Sequence, residues 1–269
     1  MHRVIDDILT STKRRVDNLS PISRKQFTKR DFIGSVKAKQ KTGTIPLISE
    51  VKPASPTSHH RDVNASDAAA IAKLMENGGA CAISVLTESE FFKGSMDNLK
   101  AVRDAVTIPV LRKDFIIDRK QIFETEADLI LLIAGILGND LCEFVDLAIE
   151  CGIEPLVEVH NISELEAALL TNTNVIGINN RNLETMEIDI STTERLIGHI
   201  DNILQHNSIH NIKDNIVLIS ESGIYSANDA ARMVHAGADA ILVGTYIMKD
   251  ATQDSDILNR TKELVGALK

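Results

Sequence analysis

Eight short apolar, β-branched runs recur along the chain: IPLISEV, ACAISVL, IPVLRKD, DLILLIA, EPLVEV, NVIGIN, NIVLIS and DAILVG. Segments with helical spacing and good helix formers separate them, among them Ser66 to Asn77, Asp140 to Cys151, Ser163 to Thr171 and Ser226 to Ala236. That periodicity predicts helices. Ser66, Asn139, Ser163 and either Ser226 or Asn228 are the expected N-caps, since a short polar side chain accepts from the exposed amides of a first turn. Strands that are apolar on both faces and alternate with helices pair in parallel beneath an outer helical layer. Eight such units over roughly 220 residues fit a (β/α)8 TIM barrel, an α/β fold, better than an open doubly wound sheet. No strand-linked GxGxxG or Walker sequence is present, which weakens the nucleotide-binding alternative.

The expected organisation is a single (β/α)8 barrel domain over residues 1–269, with residues 1–44 as an extra N-terminal helical segment. Ile5, Ile8 and Leu9 have helical spacing, and KAKQKTGTI reads as a basic connector. Together they are expected to cover one end of the barrel.

Polar residues within the apolar runs gather at one position. In LISEVKPASP, Ile48, Glu50 and Lys52 share one face of a strand, while Ser49 and Val51 share the other. Barrels of this kind carry their active groups at the C-terminal ends of strands and in the loops just beyond. There the first strand offers Glu50, Lys52 and Ser55, the third Lys113, and the fifth Glu158. The sixth offers Asn179 and Arg181, the seventh Glu221, Ser222 and Gly223, and the eighth Gly244 and Thr245. Buried charges are costly unless paired, so repeated placement at one edge points to a shared polar pocket. Each residue alone has a plainer reading: Glu50 and Lys52 as a solvated ion pair, Lys113 as a rim lysine, Glu158 as a cap for the next helix. ESGI and VGTYIM close the last two strands, where barrel enzymes bind phosphate through backbone amides. Glycine permits that close approach, and Ser55 and Thr245 add hydroxyls. The implied substrate is a phosphorylated small molecule.

Composition narrows the partners. A net charge of -9 argues against nucleic acid as the main ligand, because backbone phosphate binding needs an extended basic surface. The absence of Trp and 3% aromatic content leave few stacking platforms. No apolar run approaches the roughly 20 residues of a membrane helix, and the N-terminal stretch mixes charged with apolar residues. A cytoplasmic protein with no membrane partner is expected. Cys81, Cys142 and Cys151 read as reduced packing residues in apolar surroundings. DNILQHNSIHNIKDN reads as a polar surface loop, and His206 and His210 within it lack a nearby third ligand, so no metal is expected.

The segments ISEVKPASP, SVLTESEFFKGS, IPVLRKDFIID, PLVEVH, IGINNRNLETMEID, ISESGI and ILVGTYIM stand in the order and spacing of the indole-3-glycerol-phosphate synthase family. The chain resembles that family from about Ile45 to Lys249. The resemblance implies a carbon-carbon lyase of tryptophan synthesis that uses no cofactor. It would convert 1-(2-carboxyphenylamino)-1-deoxyribulose 5-phosphate into indole-3-glycerol phosphate, releasing carbon dioxide and water. Lys113 matches the family's acid and Glu158 its base, while Lys52 either holds the substrate carboxylate or serves as a second acid. By the same resemblance Glu50, Asn179 and Glu221 orient the lysines and sugar hydroxyls, Ser222 joins the catalytic network, and Arg181 borders the aromatic end. Ser55, Gly223, Gly244 and Thr245 would surround phosphate, and Phe92, Phe115 and Leu183 would wall the anthranilate ring. Ala54 stands where many relatives carry a basic residue, and Thr245 replaces the more usual serine. QIFETEADLILL is shorter than the family's usual connection, implying a short helix after Lys113.

Two rival readings remain beside this one: an aldolase using Lys113 as a Schiff base, and a phosphate-binding regulatory barrel without turnover. A monomer is expected, with weak homo-oligomerisation as the alternative.

Overall fold

A computed structural model describes residues 2–20, 27–56, 58–206 and 216–268. Two helices, α1 (Arg3–Asp17) and α2 (Phe32–Lys41), precede eight parallel strands. The strands are β1 (Leu47–Val51), β2 (Ala82–Leu86), β3 (Val110–Lys113), β4 (Leu129–Ile133), β5 (Glu154–Val159), β6 (Val175–Asn179), β7 (Val217–Glu221) and β8 (Ala240–Val243). Each pairs with its neighbours in sequence, and β8 closes on β1. The outer layer is α3 (Ala65–Asn77), α4 (Met96–Ala105), α5 (Arg119–Phe123), α6 (Leu141–Glu150), α7 (Ile162–Leu169), α8 (Ser191–His206), α9 (Ala227–His235) and α10 (Asp254–Val265).

The alternation of strand side chains divides the core in two. Leu47, Val51, Ile83, Val85, Val110 and Ile241 belong to a cluster beneath the helices. Ile48, Leu111, Leu129, Leu131, Leu156, Ile219 and Leu242 fill the barrel with α2's Phe32 and Val36. Two residues beyond Ile48, Leu111, Leu156 and Ile219, the same inward rows carry Glu50, Lys113, Glu158 and Glu221. The polar set therefore forms the layer above an apolar plug.

The extension covers both ends of the barrel, not one. Around α2, the Arg30 amide donates to Asp128 Oδ1 and Gln40 Nε2 to Asp239 Oδ1, both residues just before strand starts. By contrast α1 lies over the mouth, with His2 N bonded to Leu183 O at 3.1 Å and Arg15 to Glu124 at 2.9 Å. Of the stretch expected as a basic connector, residues 37–41 form the C-terminal half of α2. Its lysines fall on the solvated side while Phe32 and Val36 are buried.

Capping departs from expectation by small shifts. Asn64 caps α3 in place of Ser66, in a reciprocal box with Asp67, and Asn161 caps α7 in place of Ser163. In both cases the residue before the first helical one is extended and accepts from the third amide, which is what a cap requires. Ser226 caps α9 as expected. Asn139 caps nothing, because a short helix (Ala134–Leu137) and a 3-10 turn (Gly138–Asp140) run directly into α6. The five residues of α5 agree with the short connection after Lys113. Residues 201–206, expected as loop, continue α8; residues 207–215 and the side chain of His206 lie outside the described residues, and with them the His206–His210 pair. Cys81 and Cys151 are buried, whereas Cys142 is exposed on α6.

Candidate active site

The register sets the polar strand ends side by side, with Asn179 opposite Glu221 and Leu86 opposite Lys113. Lys113 Nζ lies 2.9 Å from Glu221 Oε2 and 3.3 Å from Glu50 Oε2, and Lys52 Nζ lies 3.4 Å from Glu50 Oε1. Glu50 is only 2% exposed, so Glu50 and Lys52 are not a solvated ion pair. Nor is Lys113 a rim lysine, since two buried carboxylates hold it inside the mouth. Missing side chains make the room: a Cβ on Gly244 would overlap the Glu50 carboxylate, and one on Gly177 would overlap that of Glu221.

Two lobes meet at Lys113. The polar lobe is lined by Glu50, Lys52, Arg181, Ser222, Gly223, Tyr225, Gly244 and Thr245 together with Lys113. Leu86, Phe115, Leu131, Ile133 and Leu183 line the other, where Glu158 and Asn179 join Lys113. Ser222 and Gly223 have φ of 66° and 80°, so the chain turns sharply off β7 through two left-handed residues. At Gly223 a Cβ would meet Ile188 Cγ2 at 2.7 Å. Arg181 lines the polar lobe: its NH1 donates to Met186 O, and the bridge between Arg181 and Ile188 brings this loop back beside Gly223. Among the described residues the lobes are built without Ser55 and Phe92. Ser55 belongs to a small ribbon (Ala54–Ser55 with Ser58–His59), its hydroxyl 2.8 Å from that of Ser58. The Phe92 ring backs Phe115, centroid to centroid 6.1 Å. A separate cavity of about 560 Å³ lies at the opposite end, against α2 and α8, and shares no residue with the lobes.

The electrostatics follow from burial opposed by pairing. Burial would lower Lys113, but Glu221, Glu50 and Glu158 outweigh it and hold the ammonium above its ordinary value. Burial dominates at Lys52 and lowers it, helped by the like charge of Lys113 and opposed by Glu50. Glu50 is lowered because the two lysines overcome its burial. Glu221 goes up to about 7, pushed by burial and by Glu158 and Glu50 against the pull of Lys113. Glu158 comes down to about 2, since His160, Lys113 and Asn179 overcome its burial.

A family model described as indole-3-glycerol phosphate synthase matches residues 3–259. Proteins of that name are similar over nearly the whole length. One from Halobacterium salinarum is 37% identical over 263 residues, covering 98% of this chain and 96% of its own. One from Bacillus cereus is 40% identical over 260 residues, covering 95% and 96%. The chain belongs to the indole-3-glycerol phosphate synthase family. A solved N-acetylmannosamine-6-phosphate 2-epimerase from Clostridium perfringens shares the fold at a TM-score of 0.60 and 13% identity, covering 88% of this chain and 99% of that one.

Within that family frame, the structure adds residues that strand-end reading passes over. His160 stands two positions after Glu158, inside the PLVEVH segment, and its ring reaches Glu158 Oε1 at 3.2 Å. His160 shares a face with Glu158 by strand alternation, a signal that selecting strand ends alone does not use. Arg112, fully buried beside Lys113, donates to Asp114 and Glu124 at 2.8 Å and to the Gln121 carbonyl at 2.7 Å. An arginine inside IPVLRKD was its only trace in the sequence. Gly177 and Tyr225 left none. Among the described residues no group of His, Cys, Asp and Glu is arranged to hold a metal, and no helix is long and apolar enough to cross a membrane.

Proposed function

We propose that this chain performs the ring closure that its family is named for, with Lys113 as the acid at the reacting carbonyl. The observation that carries the reading is that Lys113 lines both lobes. A substrate with its anthranilate ring against Phe115 and Leu183, and its phosphate near Gly223, Gly244 and Thr245, has its ribulose carbonyl at the boundary where Lys113 stands. As the ring carbon bearing the carboxylate attacks, a bond forms to the carbonyl carbon and the oxygen takes a proton from Lys113. Carbon dioxide then leaves, returning its bonding pair to the ring. Dehydration completes the indole: the hydroxyl departs as water with a proton from a lysine, and Glu158 accepts the proton released from the ring system. The acid and the proton acceptor operate in a site with little water, where fixed charges act most strongly.

Lys52 lies in the polar lobe beside Arg181, which favours a second acid near the phosphate over a partner for the ring carboxylate. Glu50 and Glu221 orient Lys113, Asn179 orients Glu158, and Ser222 helps to shape the turn above the phosphate. Ser55 and Phe92 support the site from behind. The helical extension is part of a single domain, since Phe32 and Val36 complete the barrel core. One chain carries every group the reaction uses, in keeping with a monomer. A small phosphorylated substrate suits the cytoplasm, and the acidic balance gives nucleic acid no role.

The test is direct: incubated with 1-(2-carboxyphenylamino)-1-deoxyribulose 5-phosphate, the protein generates the fluorescence of indole-3-glycerol phosphate. Inactivation by borohydride in the presence of a ketose phosphate would instead select the Schiff-base reading, and loss of that reading leaves the acid role.

A further inference from the structure

Glu158 is backed by a relay that reaches out of the barrel. The His160 side chain is 7% exposed, with Nε2 3.2 Å from Glu158 Oε1 and Nδ1 2.9 Å from Glu164 Oε2. Nε2 faces Glu158 at ion-pair distance without a well-aligned hydrogen bond. Glu164, in the first turn of α7, is itself fixed. Its Oε2 accepts the His160 backbone N–H at 2.8 Å, and its Oε1 accepts from the Asn161 side chain at 2.7 Å. A Cβ on Gly135, just after β4, would come within 2.8 Å of Glu164 Oε1, so that flank is closed too. A glutamate at the third position of a helix commonly reaches back to a backbone N–H before it, which accounts for the bond from His160 N; the second contact of the same oxygen, to His160 Nδ1, goes beyond capping. An imidazole placed between two carboxylates serves both only when both ring nitrogens carry protons.

We propose that His160 is a positioning residue for this reaction: clamped by Glu164, its imidazolium fixes the Glu158 carboxylate and keeps it ionised as charge shifts in the cavity. The inference rests on Glu158 being the proton acceptor. Among the described residues Glu158 is acted on most by His160 from its own strand exit, Lys113 from β3 and Asn179 from β6, with Glu221 of β7 facing it and Glu88 and Asp114 lining the same lobe. Lys113 is shared among three carboxylates. His160 is shared between two, one of which lies outside the cavity, so it is the cation most nearly dedicated to Glu158. The directions agree: burial would lower His160, but Glu158 and Glu164 raise it to about 10.

The experiment compares pH profiles of kcat for wild type, His160→Gln and Glu164→Gln with the same substrate. Losing a charged neighbour moves a carboxyl by about one unit or more. The acid limb of kcat in His160→Gln is therefore expected to lie at least one pH unit above that of wild type, read from profiles carried down to the lowest pH at which both proteins stay folded. KM changes little, because the phosphate lies across Lys113. Glu164→Gln shifts the limb in the same direction by less. Wild-type profiles in both variants would overturn the proposal. If His160→Gln melts, nitrogen NMR of the intact wild type decides: a doubly protonated ring at pH 8 supports the clamp, and a neutral ring overturns it. Glu158→Gln separates the two levels. Full turnover in that variant removes the proton-acceptor reading itself, whereas its loss alongside an unshifted His160→Gln profile removes only the positioning role.

Discussion

Gly177→Ala puts one methyl group where the active site has no space for it. The residue lies on β6 with an ordinary strand backbone, so alanine brings no conformational strain. Its Cβ would overlap Glu221 Oε1, lie 3.3 Å from Glu221 Cδ and lie 2.8 Å from Leu156 Cδ2. The leucine methyl is the end of a flexible side chain and can yield. Glu221 cannot yield without leaving Lys113, to which its other oxygen is bonded at 2.9 Å. Overpacking of a buried site costs about 1–3 kcal/mol, and weakening a charge-assisted hydrogen bond adds about 1.5–3 kcal/mol. Because a misplacement of roughly 1 Å in a catalytic group can cost about 100-fold, kcat is expected to drop by that order while the protein stays folded. The assay is the fluorescence of the product under saturating substrate, paired with urea unfolding. Gly198→Ala on α8, with nothing within 4 Å of the added Cβ, is the control and should leave kcat alone. A double-mutant cycle sharpens the test: in a Glu221→Ala background the overlap is gone, so Gly177→Ala should cost little more. Full additivity of the two effects, or a Gly177→Ala enzyme within twofold of wild type, would refute the reasoning.

Three further outcomes are expected. Lys113→Ala abolishes turnover while substrate still binds through the phosphate lobe; turnover near the wild-type rate in the fluorescence assay would remove Lys113 as the acid. Arg112→Met leaves Asp114 and Glu124 with only the partly exposed Arg15 between them; since breaking a buried pair outright costs about 3–5 kcal/mol, a loss somewhat below that is expected, and a urea midpoint equal to wild type would contradict the role given to this network. The stability difference between wild type and His160→Gln depends on pH with a definite sign. His160 is raised from 6.5 to about 10 on folding, so its contribution is complete below pH 6.5 and is lost as pH climbs through 10. The gap in melting temperature should therefore shrink between those limits, and a gap that is constant or grows with pH would be inconsistent with an imidazolium at this position.

The strand ends were readable in one dimension because strand alternation has a period of two and parallel strands all finish at the same rim. Counting along the first strand put Ile48 and Glu50 on one face, and Lys113, Glu158 and Glu221 stood out as ionisable residues at the ends of apolar runs. The Ser226 cap, one of two candidates for its helix, was a local fact of the same kind, whereas the short α5 was implied by the resemblance to the family. That Arg181 lines the polar lobe was not readable from its strand, because its direction is set by a loop that returns at Ile188, a contact that counting along a strand does not contain. The two-ended extension was hidden for a similar reason: α2 is held by Asp128 and Asp239, more than eighty positions away from it. So the order of residues determined the barrel, its polar rim and the family. Only the folded chain decided which rim groups touch, that Lys113 divides two lobes, and that Glu164 stands behind His160. The first two are relations between residues distant in sequence, fixed by how the barrel closes and by the space that glycines such as Gly177 and Gly244 leave empty; the third joins residues four apart, but only the folded side chains show that they meet.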